Sequence, residues 1–484
     1  MNIRICTSKL LLVFLVIYGE LLLSQINVYA LYLEARRSPL EKRGTQVCSN
    51  SGDAAYLQGK SEENLPPAAF VYAANVADVQ VAVKCAAASN INVAPRSGGH
   101  SYEVYSLGGK DGSLVIDLTN LNQIAIDTTA KTAIIGAGNR LGPIHYALSQ
   151  AGYLIPIGSC PDVGIGGFTL GGGYGLYSRK FGLAVDNVLS IDMVDANGNL
   201  ITASPNQNSD LFFALRGAGG GNYGVVTSFI FNITPIQTQV TSFQYHWTTN
   251  ATQTLIPVIE KYATNGPDEV TFRLIWSKAG LEIQGAYFGL QSGLSNVLRS
   301  ILAVPGYRTI RVAQESFYDS VVFFSNRSDS FVRKPTHQSF YFKAKSMYIG
   351  SSGLSAAGID AFNNYLASPA CRTYAIINIY GGVINRVPSN AMAFVHRDPL
   401  LLIQLTNGWM NSSLTTNCLN NINSFSASFQ SQYTSPYSYQ NYIDRDLSNW
   451  QNAYYGANYQ KLVNIKAKYD PNNLFAFPQS IPTS

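Results

Sequence analysis

Between residues 66 and 235 short apolar runs alternate with stretches whose hydrophobic residues recur every three or four positions, which predicts a mixed α/β region. Phe70 to Tyr72 reads as a strand, and Val76 to Ser89 as a helix whose Val79, Val83 and Ala86 share one face. Asn92 to Ala94 reads as a strand entering a glycine loop. SLVIDL (113–118) and TAIIGAG (132–138) follow as strands and LGPIHYALSQAG as a helix. From 236 to 437 the strands lengthen and alternate, as in VTFRLIW, LEIQGAYFG and FYFKAKSMYI, and helices such as LSAAGIDAFNNYLAS separate them. An antiparallel sheet covered on one side has this pattern. After a Ser/Tyr/Gln-rich stretch at 425–441, Trp450, Tyr454, Ala457, Leu462, Ile465 and Tyr469 stand at helical spacing until Asp470-Pro471. They predict one long helix that docks on an earlier domain. The expected units are 44–235, 236–437 and 438–484.

Composition sharpens this picture. Of 484 residues, 13% are charged and 46% hydrophobic, with 30 Tyr and 23 Phe, so intrinsic disorder is excluded and several buried cores are affordable. The formal charge of +5 owes much to Arg4, Lys9, Arg36, Arg37, Lys42 and Arg43, and the remainder is close to neutral. Nothing supports a nucleic-acid partner. Arg4 and Lys9 precede LLLVFLVIYG and LLLS, and Ala30 closes the run, which is the layout of a secretory signal peptide over 1–30. Glu20 interrupts any membrane-length span, with an uncleaved N-terminal anchor as the alternative. The Lys42-Arg43 pair makes 31–43 a propeptide-like segment. Sequons at Asn232, Asn250, Asn326 and Asn411 fit a secreted, extracellular product with no membrane segment after signal removal.

Removing Cys6 with the signal leaves Cys48, Cys85, Cys160, Cys371 and Cys418, an odd number in an oxidising compartment. Two disulfides would leave one thiol, and Cys160 is the candidate because it sits in the glycine-rich GSCPDVGIGG. A Cys160 disulfide with another thiol buried elsewhere is the alternative. Three glycine clusters stand out: RSGGHS (96–101), GSCPDVGIGGFTLGGGYG (158–175) and RGAGGGNYG (216–224). The last contains a formal GxGxxG, but a helix precedes it and a strand follows, the reverse of a dinucleotide-binding turn. No cluster ends in Gly-Lys-Ser/Thr, so a P-loop is absent. Three such loops in one region suggest backbone packed against a flat or anionic cofactor, with tight turns as the plainer reading.

These three clusters, together with NYID (441–444) and YYGANYQKLVNIKAKYDPNNLF, resemble the berberine bridge enzyme-like flavoproteins of the vanillyl-alcohol oxidase superfamily. The resemblance implies an α+β fold, in which a two-subdomain FAD-binding domain is joined to a substrate domain whose antiparallel sheet is covered by helices. It implies FAD bound covalently through His100 and Cys160. Around it would stand Arg96, Ser97, Gly98, Gly99 and Ser101; Val163, Gly164, Gly167, Gly171, Gly172, Tyr174 and Gly175; Gly224 and Val226; and Tyr455 and Asn458. The resemblance also pairs Cys48 with Cys85, which leaves Cys371 with Cys418. A monomer is expected.

A flavin takes a hydride from a carbon whose hydroxyl loses a proton, so the protein must supply a base. The resemblance makes Tyr442 of NYID that base. In carbohydrate-oxidising relatives a carboxylate assists it, and here Asn378 of TYAIINIYGG stands in that place, which leaves Tyr442 without a charged helper. His396 and Arg397 match a pair in relatives and read either as stabilisers of negative charge or, for Arg397 with Asp398, as a structural ion pair. Tyr102, Ser159 and Gln404 match sugar contacts, whereas Ile376 replaces a Gln; Tyr374, Tyr380 and Trp276 are further candidate partners. Val163 is the small residue that relatives reactive towards oxygen carry. The expected activity is oxidation of an oligosaccharide at its reducing-end C1, with molecular oxygen as acceptor and no metal. A dehydrogenase, an oxidase of aromatic or alkaloid-like alcohols, and a catalytically vestigial flavoprotein are the alternatives.

Overall fold

A computed structural model describes residues 67–109, 112–236, 239–336, 341–367 and 371–484. The signal and propeptide segments and Cys48, with its expected partnership to Cys85, lie outside those residues. Strands β1 (Ala69–Tyr72), β2 (Val93–Arg96) and β3 (Leu114–Asp117) form a parallel sheet in the order β1-β3-β2. Helix α1 (Val76–Ala88) makes the crossover between β1 and β2, begun by a capping box between Asn75 and Asp78. Its Val79, Val83 and Ala86 are buried. A second sheet is antiparallel, in the order β4-β5-β9-β7-β8, from β4 (Ile124–Asp127), β5 (Thr132–Gly136), β7 (Val188–Val194), β8 (Leu200–Ala203) and β9 (Val225–Asn232). The short β6 (Tyr153–Leu154) pairs separately with β10 (Thr234–Pro235).

From Val240 onward seven strands form one sheet, every pairing antiparallel, in the order β14-β11-β13-β12-β16-β17-β15. They are β11 (Val240–Trp247), β12 (Val270–Ser277), β13 (Gly280–Tyr287), β14 (Arg308–Glu315), β15 (Tyr341–Ile349), β16 (Arg372–Ile379) and β17 (Leu401–Trp409). Helices Thr252–Asn265, Ala356–Ala367 and Thr415–Tyr433 give Leu255, Ile259, Phe362 and Phe429 to the core that this sheet builds with Phe272, Leu274, Trp276 and Ile377. The other sheet face is left for the site. Cys371 and Cys418 are disulfide-bonded and tie the start of β16 to the last of those helices.

The C-terminal segment departs from expectation. It is two helices, Trp450–Tyr455 and Tyr459–Tyr469, separated by a turn at Gly456 with φ +47°, a conformation that favours glycine and ends the first helix. Tyr454, Tyr455, Leu462 and Ile465 join the core of the first two sheets, so the chain does return to its N-terminal half. Lys466 fixes that return: fully buried, its Nζ donates to the Asn222 carbonyl at 2.6 Å, the Phe475 carbonyl at 2.8 Å and Asp470 at 2.6 Å. Arg179, also fully buried, joins the two halves by donating to the carbonyls of Val270, Ala263 and Gly266 and to that of Tyr380.

Candidate active site

The first two glycine loops cross backbone to backbone. A Cβ on Gly98 would stand 2.2 Å from the Gly164 nitrogen, and one on Gly164 would stand 2.1 Å from the Gly98 nitrogen, so neither position admits a side chain. Ser97 stitches the crossing by donating to the Ala137 carbonyl at 2.5 Å and accepting from the Gly166 N–H at 3.2 Å. A helix over Leu141–Gln150 holds the second loop: the Leu141 and Gly142 N–H groups donate to the Val163 and Pro161 carbonyls, and His145 Nε2 lies 3.0 Å from the Gly158 carbonyl oxygen. Burial lowers the His145 pKa to about 4, so its ring is neutral. His100 and Cys160 thereby share one cavity.

The third glycine cluster contributes Gly220, Gly221 and Gly224 to that cavity. Other glycines serve packing instead. A Cβ on Gly217 or Gly172 would collide with Phe394, and one on Gly171 with Asn441 and Gln440. The NYID segment lies against this surface. Asn441 donates to the Phe168 carbonyl at 2.8 Å, and the Tyr439 hydroxyl accepts from the Gly173 and Tyr174 N–H groups. Asp444 is paired with Lys343 at 2.7 Å and Lys345 at 2.6 Å, both on β15. Lys343 also joins Glu103, which Arg445 contacts at 2.7 Å. This buried network locks the Tyr442 segment between loop and sheet.

The opposite wall is the free face of the seven-stranded sheet. Register places Arg273 of β12 beside Asn378 of β16, and Ile376 of β16 beside Gln404 of β17, and all four line the cavity. Gln404 donates to the Tyr102 hydroxyl at 2.7 Å, and the Tyr102 ring stacks on Tyr442 at 5.7 Å between centroids and 3° between planes. Tyr442 is hydrogen-bonded to Asn378. Burial drives the Tyr442 phenol well above its usual range, the neighbouring Tyr439 and Cys160 add to the rise, and the Asn378 bond only partly opposes it.

Of the expected site residues, Ser97, Gly98, Gly99, His100, Ser101, Tyr102, Ser159, Cys160, Val163, Gly164, Gly167, Tyr174, Gly175, Gly224, Val226, Ile376, Asn378, Gln404 and Tyr442 line the cavity. Arg96, Gly171, Gly172, Tyr455, Asn458 and His396 do not. Arg96 is paired with Asp117 at 2.5 Å, Tyr455 donates to the Ala218 carbonyl, and Asn458 holds carbonyls of 389–393. His396 is buried against Tyr348 and the Tyr454 carbonyl, and burial lowers its pKa to about 3. Arg397 pairs bidentately with Asp186 and not with Asp398, which is exposed. Trp276 is buried in the helix-covered core with its N–H on Asn363; Tyr380 is equally enclosed, and Tyr374 also lies outside the lining.

Sequence reasoning missed Arg273, Gln440, Tyr105 and Phe477, all in the lining. Arg273 had a visible signal, the one charge in the otherwise apolar VTFRLIW. Its guanidinium donates to Ser159 at 3.0 Å, to Gln284 and to the Phe324 carbonyl. The residues present fit a flavin dinucleotide. A Cβ on Gly167 would meet nothing within 4 Å, leaving a backbone-floored cradle, and the buried Gln440 Oε1 and Tyr105 hydroxyl lack hydrogen-bond partners among the described residues.

Comparison with known proteins agrees with this geometry. Residues 67–204 match the FAD binding domain family, and residues 438–482 the family described as berberine and berberine like. The chain is 32% identical to the xylooligosaccharide oxidase of Thermothelomyces thermophilus over 86% of its own length and 87% of the relative's. It superposes on BBE-like 1 of Physcomitrella patens with TM-score 0.83 and 37% identity, covering 90% of this chain and 96% of that one. It superposes on the glucooligosaccharide oxidase of Acremonium strictum, a 6-S-cysteinyl, 8α-N1-histidyl FAD protein, with TM-score 0.82 and 26% identity over 90% and 94% of the two chains. Two glycine loops crossing at a shared cavity, a C-terminal segment closing it and these matches lead to one conclusion: the chain belongs to the berberine bridge enzyme-like FAD-linked oxidoreductases, α+β proteins of the vanillyl-alcohol oxidase type that act on CH–OH groups.

Proposed function

We propose that this chain is a secreted oxidase that carries FAD linked to His100 and Cys160 and oxidises the reducing-end C1 of an oligosaccharide to a lactone, with oxygen as acceptor. The observation that carries the reading is the Gly98–Gly164 crossing, which brings His100 and Cys160 into the same cavity as Tyr442 and Gln404. Bound FAD supplies the hydride acceptor. The chain supplies the rest. Tyr442 faces the hydroxyl that loses its proton, Asn378 orients the phenol, and the Gln404–Tyr102 pair and Ser159 offer hydrogen bonds to sugar hydroxyls. Tyr102 presents an aromatic face suited to a pyranose ring.

Secretion is supported by the exposure of all four sequon asparagines, Asn232, Asn250, Asn326 and Asn411. The division into 44–235, 236–437 and 438–484 follows the same reading. Ile376 favours a second substrate class, since it puts an alkyl side chain where a hydroxyl-binding amide is expected; an aromatic alcohol would suit that wall.

Acid denaturation tests attachment. The protein should stay yellow, His100→Ala and Cys160→Ala should each keep one bond, and the double variant should release FAD; release from the unmodified protein refutes attachment. Anaerobic mixing with xylo-, cello- and chito-oligosaccharides tests the substrate: bleaching of the flavin supports the sugar reading. Bleaching by an aromatic alcohol alone transfers the site to the second class.

A further inference from the structure

Asp162, two residues beyond Cys160, is completely buried, and neither of its carboxylate oxygens accepts a hydrogen bond within the described residues. A carboxylate removed from water needs a cation or a proton donor. Among the described residues one basic side chain lies within ion-pair distance of that carboxylate, His100, whose Nε2 is 3.2 Å from Oδ2. Arg140 directs its guanidinium to the Asp162 main-chain carbonyl, at 2.5 Å. The residues on either side, Pro161 and Val163, are tied through their carbonyls to the Gly142 and Leu141 N–H groups at 3.0 and 2.9 Å, so the backbone that carries the carboxylate is held in place beside the imidazole.

We propose that Asp162 is the positioning residue for covalent attachment at His100: it keeps the proton on Nε2, presents Nδ1 to the ring methyl of the cofactor, and retains the linked imidazole as a cation. The inference rests on the bicovalent reading above and adds a residue to it. In the attachment, Nδ1 forms a bond to the methyl carbon and one methyl C–H bond breaks. The two electrons pass through the isoalloxazine to dioxygen, which leaves as hydrogen peroxide with the methyl proton and one proton from water. Nε2–H is not consumed, so the product ring is an imidazolium, and the Asp162 carboxylate is its counter-ion. A fixed positive charge at the benzenoid end also favours the reduced flavin.

The test compares Asp162→Asn and Asp162→Glu with the unmodified protein, each produced with FAD and mapped by peptide mass at both attachment sites. Loss of the charged partner should slow bond formation at His100 at least about tenfold, as expected when a buried imidazolium loses its counter-ion, while the Cys160 bond forms as before. The flavin potential of Asp162→Asn should fall. Asp162→Glu keeps the charge and should attach at His100 to the extent of the unmodified protein. Equal attachment and equal potential in Asp162→Asn overturn the proposal, and so does an Asp162→Glu protein that binds FAD, links it at Cys160 and leaves His100 bare. Should Asp162→Asn fail to fold, the Glu variant decides alone by the same two outcomes. An unmodified protein without a His100 bond would instead refute the bicovalent reading.

Discussion

On the loop wall of the cavity, backbone meets backbone: Gly98 and Gly164 cross at distances that no Cβ tolerates, and His100 and Cys160 are carried in by that crossing. On the sheet wall, side chains alone meet the cavity: Arg273, Asn378, Ile376 and Gln404 project from strands whose backbone hydrogen bonds would be the same with other residues there. The loop wall is therefore intolerant of change, and the sheet wall can vary without disturbing the fold. Attachment of a common cofactor belongs to the first, and the choice of substrate to the second. The largest expected effect follows directly. Gly98→Ala or Gly164→Ala should destabilise the crossing by about 3 kcal/mol or more, the upper end of overpacking costs, because the obstacle is backbone that cannot rotate away. FAD content after purification reads this out: the glycine variants should lose the cofactor and Ile376→Gln should keep it. Full FAD occupancy in Gly98→Ala would erase the contrast between the walls.

Next in size is the residue that stands between them. Tyr442→Phe should slow anaerobic flavin reduction by about a hundredfold or more while leaving the flavin spectrum intact, because it removes a proton-transfer group and no packing. An unchanged rate would move proton abstraction elsewhere, and His396 is then a poor candidate, since it is enclosed away from the cavity. The raised phenol pKa adds a pH signature. If the phenolate is the base, its fraction at neutral pH is small, and reduction should accelerate about tenfold per pH unit on the alkaline side until stability fails. Asn378→Asp supplies a carboxylate that can take the proton onward and should flatten that slope. A slope identical in both proteins would show that Asn378 acts through position alone.

The two walls also differ in how far the sequence discloses them. Glycine clusters are legible because only glycine survives backbone crossings, and the strands of the sheet are legible because their polar and apolar residues alternate. Yet clustering does not say what each glycine meets: Gly171 and Gly172 make room for Asn441 and Phe394, not for cofactor, and only the fold distinguishes them from Gly164. Alternation likewise names a face without naming its neighbour. Trp276 falls in the same strand as Arg273 but on the helix-covered side, so its indole belongs to the core. The Arg397 partner was illegible because Asp186 is 211 residues away in sequence. The break at Gly456 was hidden by helical spacing that continues in register on both sides of it.

The smallest effect is one of stability, and each side of the cavity has its own reporter. His145 braces the Gly158 carbonyl beneath the Cys160 loop, and His396 braces the Tyr454 carbonyl behind the C-terminal segment. Burial lowers their pKa values to about 4 and about 3, whereas an unfolded histidine titrates near 6.5. Above that value both states carry neutral rings and the histidines add no pH dependence. As pH falls below it, the unfolded chain binds protons that the folded chain refuses, so stability decreases with acidification, down to about pH 4 for His145 and about pH 3 for His396. Between pH 6.5 and 5 each contributes a loss of about 2 kcal/mol at about 1.4 kcal/mol per unit. Urea unfolding of the holoprotein at pH 7.5 and pH 5 measures it. His145→Gln and His396→Gln should each remove about half of the acid shift in midpoint. If only His145→Gln does so, acid sensitivity belongs to the loop wall; if neither does, the two rings are protonated in the folded state and the burial argument fails for both.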